Sequence, residues 1–124
     1  MRYMLLIYTD ASAWEAMTPE EYQQVHSAYG SFTQRIIESG EHIAGDALQG
    51  IDTATTIRVR NGRPVSTDGP FAETKEVLGG FYMVDCKDLD RASELAAAIP
   101  DAGLGSGSIE IRPIRDLPDM PGLS

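Results

Sequence analysis

An uninterrupted apolar run near the start of the chain, Tyr3–Tyr8, most constrains what this sequence can fold into. The run is too short for a stable helix, and its lack of polar alternation is typical of a strand covered on both faces. A second strand is predicted over Leu78–Cys86, with Phe81 on one face and Tyr82 on the other. A sheet built on two such strands needs packing on both of its faces.

Two helices are predicted from apolar residues at helical spacing. Thr18 and Glu21 form a capping box at the start of the first helix, and Gly40 supplies its end. Asp88 is a plausible cap for the second helix, which Pro100 ends. The apolar stripe of the first helix consists of Tyr22, Val25, Tyr29, Phe32 and Ile36.

The remaining strands are predicted from alternating apolar and polar residues. Thr53–Arg60 and Arg63–Thr67 are joined by Asn-Gly, which favours a two-residue type I′ hairpin turn. Glu41–Leu48 and Ile109–Ile114 are also strand-like, whereas the polar segment Asp10–Met17 is predicted to be a loop.

The order of these elements is β-α-β, a β-hairpin, then β-α-β. We therefore predict an α+β fold of the ferredoxin-like βαββαβ type with an inserted hairpin and an antiparallel sheet covered by two helices. The 124 residues allow one domain, 1–115, followed by a Pro-rich, flexible tail, 116–124. Because two helices cover one face only, we expect a homodimer packed sheet to sheet.

Composition excludes several partners and sites. Ten Lys and Arg against 19 Asp and Glu give a net charge of −9, which disfavours binding to nucleic acid or to an acidic membrane. The chain lacks a membrane-length apolar run and a signal-peptide pattern, so we expect a cytoplasmic protein. The lone cysteine, Cys86, is read as a buried small residue. No metal-ligand spacing or cofactor motif is recognisable, so neither a metal nor a cofactor is expected.

A long central motif carries a family resemblance. The segment Thr67–Glu76, followed by Leu78–Tyr82, resembles the signature of the DGPF-domain proteins of the YCII-related family. This resemblance implies a dimeric α+β barrel. It also implies a bacterial protein from a family that is largely of unknown function, many members of which are encoded beside extracytoplasmic-function sigma factors. Matching segments elsewhere are Arg2–Tyr8, Tyr29–Phe32, Gly45–Leu48 and Ile109–Ile114.

The wider YCII-related group implies acid–base chemistry through a histidine on the first helix and a nearby aspartate. In that group the histidine lies about three helical turns before the glycine that ends the helix. Counting back from Gly40 leads to Tyr29 rather than His26. The resemblance therefore implies a tyrosine in this chain at the position of the family's histidine.

Residues 68–76, named here the DGPF loop, allow two interpretations. Asp68 can accept from backbone amides in a turn, and Phe71 can pack into the core beneath it. A turn does not require the charges of Glu73 and Lys75, however, and these could position a polar ligand or a proton-transfer group. They could equally form a solvated charge run.

Four further side chains are candidates outside this loop. Tyr29 is either a half-buried core residue or a phenol that points into a cleft, and His26 flanks the same stripe. Asp46 lies beside small residues, where it could contact a ligand or pair with an arginine across the sheet. Arg112 could pair with Glu110 or bind a carboxylate ligand.

Two functional hypotheses follow. The first is a small-molecule enzyme or binder with a cleft between the first helix, Asp46 and the DGPF loop. In it Asp68 and Glu73 shuttle protons, Lys75 holds an anion and Tyr29 lines the pocket. The second is a non-catalytic regulatory or interaction module in a sigma-factor pathway, where the acidic surface would suit a basic protein partner.

The predicted homodimer can be tested directly. If a second chain covers the exposed sheet face, light scattering at micromolar concentration will give twice the mass of one chain. A monomeric mass under these conditions would count against the sheet-to-sheet dimer.

Overall fold

The computed structural model describes residues 1–116, which form six strands and three α-helices. The strands are β1 (Arg2–Asp10), β2 (His42–Ala47), β3 (Thr55–Arg60), β4 (Arg63–Asp68), β5 (Glu76–Asp85) and β6 (Ser108–Pro113). The helices are α1 (Ala11–Glu15), α2 (Pro19–Glu38) and α3 (Leu89–Ala97), and short 3-10 turns span Ile51–Thr53 and Pro100–Gly103. All but the first residue of the predicted tail lies outside the described residues.

Four strands form one antiparallel sheet in the order β2-β5-β1-β6. The two predicted apolar strands, β1 and β5, occupy its centre, where a strand has neighbours on both sides. Strands β3 and β4 form a separate two-stranded antiparallel sheet. The fold is thus mixed α+β with an antiparallel sheet, which is compatible with the predicted ferredoxin-like arrangement.

The turn between β3 and β4 has the backbone that its sequence predicts. Asn61 has φ 53° and Gly62 has φ 74°, and a type I′ turn needs positive φ at both positions. Asp68 ends β4 opposite Thr55, so it belongs to a strand and not to the turn that follows.

The first long helix, α2, begins and ends as predicted. Thr18 Oγ1 accepts from the Glu21 amide at 3.2 Å, and Glu21 Oε1 accepts from the Thr18 amide at 3.3 Å. Gly40, with φ 79°, follows the helix end. Of the predicted apolar stripe, however, only Phe32 and Ile36 are buried. The amino-terminal half of α2 lies over a cavity and not over the core.

The core lies between the sheet and the helices α2 and α3. Alternation along β1 buries every second side chain, and Met4 and Leu6 on the opposite face are only half-buried within one chain. Cys86 is buried and free, as predicted. The largest fully buried hydrophobic side chains are Phe32, Leu5, Ile36, Ile99 and Val84.

The loop prediction for Asp10–Met17 is wrong over most of its length, because Asp10 ends β1 and caps α1. Its carboxylate accepts from the Ser12 hydroxyl at 2.6 Å and from the Ser106 amide and hydroxyl, both at 3.1 Å. The hydrogen bonds from Ser12 and Ser106 hold the pKa of Asp10 well below its usual range. A side-chain cap therefore sustains a helix that apolar periodicity does not reveal.

An ion pair joins the start of β2 to α3. Arg91 Nε and Nη2 donate to the two carboxylate oxygens of Glu41 at 2.9 and 2.8 Å, and the Glu41 side chain is 14% exposed. The hydrogen bonds from Arg91 lower the pKa of Glu41 below its ordinary 4.5. The pair therefore stabilises the fold only while Glu41 is ionised.

We expect Glu41→Gln to reduce the free energy of unfolding at pH 7, measured by urea denaturation. Because the pKa of Glu41 is lowered in the folded state, the ion pair makes its full contribution to the free energy of unfolding above pH 4.5. This contribution is lost as the pH falls further. The difference in free energy of unfolding between the variant and the unmodified protein should therefore decrease at acidic pH.

Glu94→Gln is the matched control. Glu94 also binds Arg91, at 3.0 Å, but its side chain is 68% exposed, so its loss should matter less. A Glu41→Gln effect that stays constant between pH 7 and acid would contradict the assignment.

Candidate functional site

A cavity of about 910 Å³ lies between the amino-terminal half of α2 and the end of the sheet formed by β2 and β5. Helix α1 and the segment after β2 complete its wall. This volume falls in the range that holds small-molecule ligands. Its aromatic and imidazole wall consists of Trp14, Tyr22, His26, Tyr29, His42 and Tyr82.

A buried carboxylate, that of Asp101, lies in the wall of this cavity. The residue is 1% exposed and belongs to the 3-10 turn Pro100–Gly103. Its Oδ1 accepts from Trp14 Nε1 at 2.8 Å, and its Oδ2 accepts from the Tyr29 hydroxyl. Donors from α1 and α2 thus fix the orientation of both oxygens.

Tyr29 combines the two interpretations that its position in the sequence allows. It is partly buried beside the core, its hydroxyl is bound by Asp101, and it lines the cavity. Burial, together with the Asp101 carboxylate, raises the pKa of Tyr29 far above its usual value. The phenol is therefore neutral at physiological pH and serves as a hydrogen-bond donor.

A cluster of three rings forms the outer wall of the cavity. The Trp14 centroid lies 5.8 Å from that of Tyr22 and 6.0 Å from that of His26, in edge-to-face geometry. The Tyr22 and His26 centroids are 4.4 Å apart. Helix α1 therefore presents its tryptophan both to these rings and to the buried carboxylate.

A hydroxyl chain connects the helix to the floor of the cavity. Thr33 Oγ1 donates to the Tyr29 carbonyl at 2.9 Å, which leaves the Tyr82 hydroxyl to donate to Thr33 Oγ1 at 2.7 Å. Burial raises the pKa of Tyr82, so this phenol also stays protonated. His42 is half-buried, lines the cavity and lies 6.4 Å from Tyr82 between ring centroids.

Glycines in β2 and β5 line the cavity and allow close packing of its wall. A Cβ at Gly45 would lie 2.7 Å from the ring of Tyr82, and one at Gly80 would lie 2.8 Å from the Asp46 carbonyl oxygen. Gly79 and Gly80 lie within β5 and interrupt its pairing with β1 by a bulge. The Gly-Gly step that follows the DGPF loop therefore shapes the cavity floor.

Of the residues predicted for the site, Tyr29, His26 and Asp46 line this cavity. Asp46 is exposed, and its pairing with Phe81 places its side chain on the sheet face away from α2. The suggested pairing of Asp46 with an arginine across the sheet is wrong. Its neighbouring strand is β5, whereas Arg58 lies in the other sheet.

The DGPF loop does not meet α2. Asp68, Glu73 and Lys75 are exposed and line neither the main cavity nor a second one of about 550 Å³. The predicted core packing of Phe71 is wrong, since its side chain is 81% exposed. The Arg58 guanidinium lies 5.8 Å from its ring centroid, and Phe71 lines the second cavity together with Pro70.

The last strand carries Arg112 away from the main cavity. Its Nε lies 3.9 Å from Glu110 Oε2, which confirms the predicted pairing of these two side chains. Both are substantially exposed, so the pair contributes little to stability.

No group of three or more His, Cys, Asp or Glu in residues 1–116 is placed to hold a metal ion. No helix there is long and apolar enough to cross a membrane.

Comparison with known proteins confirms the resemblance seen in the motif. The family model of the YCII-related domain matches residues 1–118. The chain belongs to the YCII-related family. An uncharacterised protein of Rhizobium meliloti (strain 1021) is 37% identical to it over 114 residues, which is 92% of each chain.

In the sequence of this YCII-related protein, neither Asp101 nor Trp14 is recognisable as a candidate site residue. Asp101 follows a helix-ending proline, where an acidic residue is unremarkable, and Trp14 lies in a segment predicted to be a loop. No local pattern in the sequence marks Asp101 as the partner of Tyr29.

We expect Tyr29→Phe to lower the free energy of unfolding by about 1–3 kcal/mol in urea denaturation, because it leaves a buried carboxylate with one donor fewer. Tyr3→Phe is the control. Tyr3 is also buried, but its hydroxyl contacts only the Met1 sulfur, at 3.5 Å, so its loss should cost less. Equal effects of the two substitutions would contradict the importance of the Tyr29–Asp101 bond.

Proposed function

We propose that this YCII-related protein binds a small molecule in the 910 Å³ cavity and transfers a proton at Asp101. The observation that carries the proposal is the Asp101 carboxylate, which is 1% exposed, oriented by two donors and part of the cavity wall. A structural carboxylate in the core is usually paired with a cation. A catalytic carboxylate is instead held in a fixed orientation and shielded from water.

The proposed chemistry is a proton shift within the bound molecule. Asp101 accepts a proton from one atom of the ligand and returns it to another, so the step needs no oxidant or second reactant. Each carboxylate oxygen uses one lone pair for Trp14 or Tyr29 and retains another for the ligand. Tyr29 and Trp14 act as positioning residues, because their hydrogen bonds hold the carboxylate in place.

The family resemblance supports a pair of this kind. Acid–base chemistry in the YCII-related group is attributed to a histidine on the first helix and an aspartate. Tyr29 lies about three helical turns before Gly40, where the resemblance implies that histidine, and it binds an aspartate. In this proposal the tyrosine replaces the histidine as the partner of the carboxylate, and the DGPF loop residues Asp68, Glu73 and Lys75 are not part of the proton path.

We further propose that the ferredoxin-like unit forms a dimeric α+β barrel through the sheet face away from the helices. Met4, Leu6, Phe81 and Met83 on that face are only half-buried within one chain, and a second sheet would cover them. A bacterial, cytoplasmic protein with itself and a small molecule as partners accords with the composition and the family.

A regulatory or interaction module in a sigma-factor pathway is the second candidate. The observation that favours it is the two-stranded sheet, on which Ile57, Val59 and Val65 are 58%, 62% and 44% exposed. Exposed apolar side chains grouped on one hairpin are typical of a protein contact surface. Failure of every small molecule to bind the cavity would favour this function.

The proposal can be tested with a panel of small molecules, because Trp14 is the only tryptophan and lies in the cavity wall. Ligands should change its fluorescence and, at about 100 times their dissociation constant, should stabilise the fold by about 2.7 kcal/mol. Bound ligands are then incubated in D₂O and their C–H signals are followed by NMR. At a saturating ligand concentration, Asp101→Asn should lose at least about 100-fold in the exchange rate.

Asp85→Asn is the matched control, since Asp85 is exposed, binds the chain amino terminus and does not line the cavity. It should leave both binding and exchange unchanged. Ligands that bind without any exchange would refute proton transfer while leaving the cavity as a binding site.

A further inference from the structure

The charged side chains around the main cavity are predominantly acidic. Glu15, Asp52 and Asp101 line it, and no Lys or Arg of residues 1–116 does so. Residues 117–124 contain no Lys or Arg either. His26 and His42 are the only lining side chains able to carry a positive charge. An anionic ligand would therefore meet repulsion without an obvious counter-charge from this chain.

Asp101 lacks a cationic partner within the described part of the chain. The groups bound to its oxygens are a neutral indole N–H and a neutral phenol. A carboxylate that is 1% exposed is ordinarily compensated by an opposite charge, because burial removes its hydration. The cavity that this carboxylate lines is where such a charge could be placed.

Aromatic faces supply the second contribution. Trp14, Tyr22, Tyr29 and Tyr82 line the same cavity, and aromatic ring faces attract ammonium groups. The same rings also offer apolar contact area for a hydrocarbon body. Carboxylate and ring faces together match a cation that carries an apolar group, and neither contribution suits a phosphate or carboxylate ligand.

We infer that the ligand of this cavity is a protonated organic amine with an aromatic or other apolar body. The inference rests on the proposed small-molecule function and specifies its ligand class. The ammonium group lies toward Asp101 and the apolar body lies among Trp14, Tyr22 and Tyr82. The charge of this amine is opposite to that of the anion that Lys75 is predicted to hold.

Three probes of similar size separate the charge states: 2-phenylethylamine, 2-phenylethanol and phenylacetate. Each is titrated against the full chain at pH 7 and low salt, with Trp14 fluorescence and thermal shift as readouts. The amine should bind at least about tenfold more tightly than the alcohol, and phenylacetate should bind most weakly.

Two variants test the source of this preference. Asp101→Asn should bring the amine's affinity to within about threefold of the alcohol's while the alcohol's affinity is unchanged. Tyr22→Leu, which leaves the carboxylate and its donors intact, should weaken the amine several-fold more than the alcohol. The second variant keeps the test valid if Asp101→Asn does not fold.

The outcomes distinguish this inference from the proposed function. Equal binding of amine and alcohol, or tighter binding of phenylacetate, would overturn the ligand class and leave the cavity's function standing. Preferential amine binding by a protein that catalyses no exchange would support the ligand class and refute proton transfer. Absence of binding by all three probes would overturn the ligand class, and the wider panel then decides the function.

Discussion

The hydrogen bonds to Asp101 join parts of this protein that the sheet alone does not connect. A buried carboxylate must be satisfied by donors, and the donors here come from α1 and from the middle of α2. These bonds draw both helices toward the 3-10 turn that precedes β6. The main cavity occupies the space enclosed between these elements and the sheet.

The cavity depends as much on small residues as on the large ones in its wall. Gly45 admits the Tyr82 ring, Gly79 admits the Thr9 side chain, and Gly80 lets β5 approach the backbone of β2. The amino-terminal half of α2 therefore faces aromatic rings and the cavity, whereas Phe32 and Ile36 in its second half are buried in the core. One helix serves both the hydrophobic core and the site.

The strands, the long helices and their caps could be predicted because their signals are local. The capping box at Thr18, the glycine after α2 and the Asn-Gly turn all depend on residues close in sequence. The site could be predicted only in part. The position of Tyr29 on the first helix makes it a candidate site residue. Its hydrogen bond to Asp101, however, spans 72 positions in the sequence, and no local pattern encodes such a contact. The DGPF loop is a candidate because its charges are visible in the sequence. The separation of this loop from α2 is not visible there.

Helix α1 has no buried residue, and it is anchored largely by the capping bonds of Asp10 and by the indole of Trp14. Its detachment would break those few bonds while the sheet and the buried half of α2 stayed intact. The α1 wall of the cavity and the core of the fold are therefore held by different contacts. Substitutions at Asp10, Ser12 or Ser106 would change the stability of that wall without altering the core.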